Sequence, residues 1–295
     1  MSGEVTRPGE LRLGRRSFGP RQRLVMAIVN RTPDSFYDRG STWDETAALD
    51  RVHQVVAENA DIVDIGGVPA APGTVVDVGE EIRRTVPFVA AVRSAYPDMV
   101  ISVDTWRHEP ARELCAAGAD LINDTWGGWD QRLAEVAAGY GVGLVCSHAG
   151  GLPPRTRPHR VAYDDVVADV LSRTLAAASR AVSVGVDPAR VLIDPAHDFG
   201  KNTWHSLEVT RRLDELVATG WPVLVSLSNK DFVGETLNAA IGERVTGTLA
   251  TTAVSAWLGA RVFRAHQVRE TRQVLDMVSA ILGELPPART VRGLA

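Results

Sequence analysis

The 295-residue chain is short of lysine, cysteine and aromatic residues and has no long apolar run. Each shortage removes a class of explanation. Its two cysteines, Cys115 and Cys146, sit in apolar stretches without metal-ligand spacing. That excludes a disulfide scaffold and a tightly held zinc site, and points to buried reduced thiols. No hydrophobic stretch is long enough to span a bilayer, so a membrane is not an expected partner. The N-terminus lacks the apolar centre of a signal peptide, which makes a cytoplasmic location the expectation. Lysine occurs only as Lys201 and Lys230 among 32 basic residues. A GC-rich genome accounts for such a skew toward arginine, but not for where the two lysines survive.

What is present is the composition of a globular domain, 45% hydrophobic and 23% charged, with a formal net charge of −4. Residues 1–23 carry six arginines against Glu4 and Glu10, a local +4 that leaves −8 for the rest. This segment reads as a basic N-terminal arm, solvated or plugging the body that follows. The acidic body argues against nucleic acid as a partner.

Short β-branched runs alternate with longer amphipathic stretches. The runs cover 24–30, 61–67, 100–105, 121–126, 143–148, 191–195, 222–228 and 262–266. They are near-continuously apolar, the pattern of parallel strands covered on both faces. Helical patterns fill 42–59, 79–96, 163–184, 204–219, 243–258 and 270–282, with Ser41, Thr42, Asp130 and Thr203 as candidate caps. Eight βα units in one domain at 24–285 predict an α/β fold, the (β/α)8 TIM barrel, with a short tail over 286–295. An open doubly wound sheet is the alternative, but Asn30–Arg31–Thr32–Pro33 after the first run is no glycine-rich turn. Residues 152–158 read as a long loop inside the barrel.

Barrel enzymes carry their sites at the C-terminal strand ends. Here those ends offer Asn30 and then Asp34, Asp64, Asp104, Asn123–Asp124, Ser147–His148, Asp194, Ser228–Asn229–Lys230, and Arg264 with His266. His197, Phe199 and Lys201 follow the sixth run. One such residue is often only a helix cap. A whole rim of them is costly unless a ligand or water satisfies the groups. Asp104, Asn123 and Asp194 suit an edge rich in N–H donors, whereas Asn30, Arg264 and His266 suit a phosphate or metal–phosphate unit. A flat nitrogen heterocycle on a phosphorylated arm would use both halves. A Schiff-base role for Lys230 is open on barrel grounds alone.

The segments MAIVNRTPDSFYDRG, DIVDIGG, ISVDTWR, AGADLINDTWGG, VLIDPAHDFGKN, LSNK and FRAH occur in the order expected of dihydropteroate synthases. The chain resembles that family from about residue 11 to 280. The resemblance implies a pterin pocket deep in the barrel and condensation of a pterin-methyl pyrophosphate with p-aminobenzoate, assisted by magnesium. It makes Asp104, Asn123, Asp194, Lys230, Arg264 and Phe199 pterin-binding, with Phe199 on the p-aminobenzoate side. Asn30, Arg264 and His266 become phosphate-binding, Asn30 also the metal ligand, and Arg264, His266 and Lys230 the expected catalytic residues. Family members are commonly homodimers, and a dimer is expected here.

The departures from the family pattern are concentrated. After the second run, where the family usually has Gly-Gly-Glu-Ser-Thr-Arg-Pro-Gly, the chain reads Gly66–Gly67–Val68–Pro69–Ala70–Ala71–Pro72–Gly73. The hydroxyls and the arginine of that loop are gone. The usual Ser-Arg-Lys-Ser is Ser228–Asn229–Lys230–Asp231, which sets a negative charge at the helix start expected to receive the p-aminobenzoate carboxylate. Arg31 replaces a small apolar residue and is either phosphate-directed or solvated. Cys146–Ser147–His148–Ala149 is expected to make the pocket floor more polar, and the usual His-Asp reads His266–Gln267. The expectation is a divergent paralogue that keeps pterin binding and has weak or absent condensation with p-aminobenzoate. An active synthase and a methyltetrahydrofolate-binding protein are the alternatives.

Overall fold

Strands that are apolar on both faces need cover on both, and a closed ring wrapped by helices supplies it. The computed structural model describes residues 9–32, 44–157 and 160–293. After a hairpin of β1 (Leu11–Leu13) and β2 (Arg16–Phe18), eight parallel strands follow. They are β3 (Leu24–Asn30), β4 (Ile62–Gly66), β5 (Val100–Asp104), β6 (Leu121–Asp124), β7 (Gly143–Ser147), β8 (Val191–Asp194), β9 (Leu224–Ser226) and β10 (Val262–Ala265). Neighbours pair in chain order from β3 to β8, and β10 lies between β3 and β9. A parallel bridge between Ile193 and Val223 joins β8 to β9 and completes the ring. This is the expected barrel, not the open sheet, and each strand falls within its apolar run.

The helices are α1 (Glu45–Ala57), α2 (Val78–Ala95), α3 (His108–Ala116), α4 (Arg132–Tyr140), α5 (Val166–Ser183), α6 (Thr203–Arg211), α7 (Leu213–Val217), α8 (Asp231–Leu237), α9 (Val245–Trp257) and α10 (Val268–Ile281). Their starts correct several expected caps. Asp44 caps α1, its Oδ1 accepting from the Ala47 amide at 3.1 Å; Ser41 and Thr42 lie outside the described residues. Asn202, not Thr203, caps α6, accepting from the His205 amide at 2.9 Å. The stretch 204–219 is two helices, because Arg212 leaves helical geometry at φ −107° and ψ 27°.

Two apolar layers hold the barrel. The larger lies between strands and helices; the smaller fills the lower interior, where Leu24, Met26, Ile62, Val100, Leu121, Val145, Leu192, Leu224 and Val262 point inward. Leu11, Leu13 and Phe18 of the hairpin complete that inner layer. Burying each such side chain contributes about 1.5–3 kcal/mol. Residues 11–23 are therefore not a solvated arm. Arg12 pairs with Asp187 at 2.5 Å and Arg23 with Glu284. With the hairpin at the lower end, the polar groups are left to the rim formed by the C-terminal strand ends.

Candidate functional site

Strand alternation decides which strand-end residues face the interior, and on β10 it turns Arg264 inward. Its Nε donates to Asp64 Oδ2 at 2.6 Å and its Nη2 to Asp104 Oδ2 at 2.9 Å. Asp64 is fully buried on β4 and also accepts from Ser102 Oγ at 2.6 Å. Asn123 Nδ2, on β6, lies 3.3 Å from Asp64 Oδ2. Asp104 accepts in addition from Thr125 Oγ1 at 3.0 Å. Burial pushes the Asp104 carboxyl up to about 7, against the pull of Arg264. Burial disfavours the Arg264 cation too, but Asp64 and Asp104 outweigh it and hold its pKa above the ordinary value.

Around this centre lie the other expected pterin residues. Asn123 Oδ1 is buried and has no hydrogen-bond partner among the described residues. Asp194 ends β8, accepts from the Ala196 amide at 2.7 Å, and has its pKa raised by burial, with Lys230 opposing. Lys230 donates to the His197 carbonyl and sits 4.9 Å from the centre of the Phe199 ring. Burial lowers its pKa, while Asp198 and Asp194 hold it up. Asp104, Asn123, Asp194, Lys230, Arg264 and Phe199 thus share one rim. Trp126 meets Phe199 edge-on at 4.9 Å, and Trp106 meets Trp126 at 6.3 Å. With Val68 and Ala149 they form an apolar wall beside the polar centre.

Asn30 closes β3 next to Gly66; a Cβ added to that glycine would lie 3.8 Å from Asn30 Oδ1. His266 follows β10, with Nδ1 2.9 Å from Ser228 Oγ. Burial, with Arg264 and Arg51 nearby, pushes its pKa down to about 3. Without a ligand the ring is therefore neutral at pH 7. Asp34 and the rest of the TPDSF motif lie outside the described residues.

Three expectations about the departures change. Asp231 neither caps α8 nor faces inward: it is exposed and pairs with Arg244 at 2.9 Å. Instead Asp198 supplies the carboxylate there, its Oδ2 accepting from the amides of Asp231 (2.7 Å) and Phe232 (3.3 Å). Arg31 is not solvated; it is buried against Phe88, 4.9 Å from the ring centre, and donates to the Asp44 carbonyl at 3.1 Å. His148 does not make the floor polar, because its Nε2 meets Asp169 of α5 at 2.6 Å and its Nδ1 meets Lys201 Nζ at 2.7 Å. Lys201 is itself buried, donating to the carbonyls of His148, Ala196 and Phe199.

The loop after β4 has lost its own arginine, yet three arginines from elsewhere hold its backbone. Arg84 donates to Gly67 O at 3.1 Å and Arg107 to Val76 O at 2.9 Å. Arg155, from the loop after β7, donates twice to Ala71 O (3.1 and 2.8 Å) and once to Thr74 O (2.8 Å). Arg155→Ala is expected to raise the rate of protease cleavage within residues 68–75 by at least about tenfold, since three exposed bonds at about 0.5 kcal/mol each are lost together. Unchanged cleavage would show that the loop is held by other contacts.

A magnesium ion takes oxygen ligands and needs few from protein when phosphate supplies the others. The oxygen groups at this part of the rim are Asp64 and Asp104, both engaged by Arg264, and Asn30 Oδ1 beside Gly66, a set whose chemistry suits such an ion. Among the described residues, His108, Glu109 and Asp130 form another group that could hold a cation, but Asp130 is already bound by Arg132 at 2.8 Å.

Ser102, Asp198, Trp106 and Trp126 were not among the expected site residues, and Asp64, though expected at the rim, was given no role. Its signal was there: an acid in the middle of a buried strand requires a partner. Asp198 carried none, because its reach depends on a left-handed backbone (φ 69°) that its neighbours do not announce.

Comparison with known proteins agrees with this geometry. The family model of pterin binding enzymes matches residues 26–266. The inactive dihydropteroate synthase 2 of Mycobacterium leprae is 61% identical over 278 residues, 93% of this chain and 96% of that protein. The Yersinia pestis dihydropteroate synthase, solved in complex with a sulfonamide drug, superposes with a TM-score of 0.88 at 33% identity, covering 93% of this chain and 99% of that one. The Xanthomonas albilineans synthase, solved with 4-aminobenzoic acid, gives 0.84 at 35% identity over 93% and 98% of the two chains.

Proposed function

The chain belongs to the pterin binding enzyme family of the dihydropteroate synthases, and from that premise we propose that it is a divergent paralogue that binds a pterin-methyl pyrophosphate and condenses it with p-aminobenzoate weakly or not at all. The observation that carries the pterin half is the buried, unpartnered Asn123 Oδ1 beside the Arg264–Asp64–Asp104 cluster and Asp194. A buried acceptor of this kind is stabilised when a ligand N–H reaches it. Asp104, Asn123, Asp194 and Lys230 would hold the heterocycle edge, Arg264 its face, and Phe199 the side toward a second substrate. Asn30, Arg264 and His266 would hold the pyrophosphate. Asn30 would also contribute to a magnesium ion, which neutralises phosphate charge when bound. The second half rests on the altered loop after β4 and on the Asp198 carboxylate at the start of α8; the M. leprae relative, named as inactive, supports it.

A homodimer fits the exposed apolar side chains Val254 and Trp257 of α9 and Met277 and Ile281 of α10. Among the described residues, no helix is long and apolar enough to cross a membrane.

Calorimetry with a pterin pyrophosphate and magnesium tests the reading. Binding is expected, and Asp194→Ala should weaken it on the order of 100-fold, since hydrogen bonds to charged groups are worth about 1.5–3 kcal/mol each. Affinity should fall as pH drops through about 7, because Asp104 then takes up a proton and offers fewer acceptors. Folded wild-type protein with no pterin affinity would refute the proposal.

A further inference from the structure

At the start of α8 the geometry concerns a carboxylate that is part of the chain. Asp198 lies in the loop after β8, half-buried, in a stretch where Ala196 (φ 49°), Asp198 (φ 69°) and Gly200 (φ 60°) are all left-handed. Gly200 has no alternative: a Cβ there would sit 2.5 Å from the Ala149 carbonyl oxygen. Asp198 is less constrained by space, and its conformation is disfavoured for a side chain unless something holds it. What holds it is visible on both sides. Its backbone N–H donates to Ser206 Oγ at 3.1 Å, and its Oδ1 accepts from the same hydroxyl at 3.2 Å. Its Oδ2 takes the two amide N–H groups at the start of α8, those of Asp231 and Phe232.

The consequence is a question of charge at a fixed position. Two amide donors that could receive an anion are already engaged by an anion. The nearest cations are also committed, Arg244 to Asp231 and to the Asn229 carbonyl, and Lys230 to the His197 carbonyl. An incoming carboxylate would have to displace Asp198 or lie beside its charge, and like charges at such range are unfavourable. An uncharged group meets neither obstacle. Next to Asp198, Phe199 opens the apolar wall of Trp126, Trp106 and Val68, which can pack an aromatic ring.

We propose that Asp198 is the selectivity residue for the second ligand, excluding a carboxylate there, and that the position takes an arylamine without an anionic group. The inference rests on the pterin-binding reading above and deepens it. It differs from the sequence expectation in its agent: the exposed Asp231 is not the charge that matters.

The test is calorimetry of the full chain with a pterin pyrophosphate and magnesium present, titrating 4-aminobenzoate and its uncharged isostere 4-aminobenzamide. Wild-type protein is expected to favour the amide by at least about tenfold, the scale of one unpaired like-charge contact. Asp198→Asn keeps an acceptor oxygen and tolerates the left-handed backbone, and it should shift the ratio about tenfold toward the carboxylate. Asp198→Gly, which suits φ 69°, serves if the asparagine variant does not fold. Asp231→Asn should leave the ratio within about twofold, as expected of an exposed, paired charge. An unchanged ratio in the folded Asp198 variants, a wild-type preference for the carboxylate, or binding of neither amine to the pterin-loaded protein would each overturn the inference alone. Absence of pterin binding would instead overturn the proposed function, and this inference with it.

Discussion

Arg264→Met should both unload the site and destabilise the barrel, by about 3–5 kcal/mol at pH 8, the usual cost of leaving buried charges without their partner. The reason is the arrangement around the guanidinium. Asp64 is fully buried and its Oδ2 lies 2.6 Å from Arg264 Nε; Asp104 Oδ2 lies 2.9 Å from Nη2. Methionine fills similar volume but compensates neither carboxylate, so Asp104, already pushed upward by burial, would hold its proton to higher pH still. The sign of the pH dependence follows. A carboxyl whose folded pKa exceeds its unfolded value binds more protons when folded, so its contribution to stability is lost as pH rises from about 4 through the raised value. The deficit of the variant relative to wild type should therefore be smaller near pH 5 than at pH 8. Denaturant midpoints at the two pH values measure it. Equal deficits would mean that the carboxylates find other partners, and a deficit under about 1 kcal/mol at pH 8 would remove Arg264 from its central place. Pterin pyrophosphate binding, followed on the same protein, should be lost.

The barrel was readable because its physics is redundant. Each of β3 to β10 is a run of apolar residues that can be satisfied only by cover on both faces, and the runs recur at a spacing that leaves room for a helix between them. Short helices were harder. Helix α3, from His108 to Ala116, has only nine residues and a proline in its first turn, too little for a periodic signal. The split of 204–219 at Arg212 lies in two backbone angles, which apolar spacing does not encode.

The site divides in the same way. Residues that end a strand, such as Asp104, Asn123 and Asp194, could be placed on the rim because a strand end has one location. Partner choice could not be read. His148 directly follows Ser147 of β7, yet one step of strand alternation is enough to send it outward to Asp169. Asp231 and Asp198 exchange the expected role because the loop after β8 folds back over the start of α8, and local sequence does not report that contact. Arg155 reaches Ala71 from 84 positions away, a relation that belongs to the closed ring and not to either loop.

The scarcity of lysine leads to the other large effect. Lys230 lies over Phe199 at the rim, but Lys201 is buried where no ligand needs to reach it. Its Nζ has His148 Nδ1 at 2.7 Å and the carbonyl oxygens of Phe199, His148 and Ala196 at 3.1, 3.2 and 3.3 Å. Burial lowers its pKa to about 7, while all four of these neighbours accept hydrogen bonds, which suits an ammonium. His148 completes the set as a neutral ring, its own pKa lowered to about 4 chiefly by burial, and Asp169 fixes its far nitrogen. One compact donor thus ties the loop after β7 to the loop after β8, the segment that follows Asp194 and carries Asp198 and Phe199. A planar guanidinium cannot converge on the four acceptors from one point, and it is larger than the space. Lys201→Arg and Lys201→Met are both expected to cost about 3–5 kcal/mol, by overpacking or by unmatched acceptors, and both should weaken pterin binding through displacement of Asp194. Denaturant unfolding measures the first effect and calorimetry the second. If arginine is accepted without loss, the lysine is there by chance, and the two loops are held together by the Gly200 contact and the Tyr163 hydroxyl, which donates to Gly200 O at 2.6 Å.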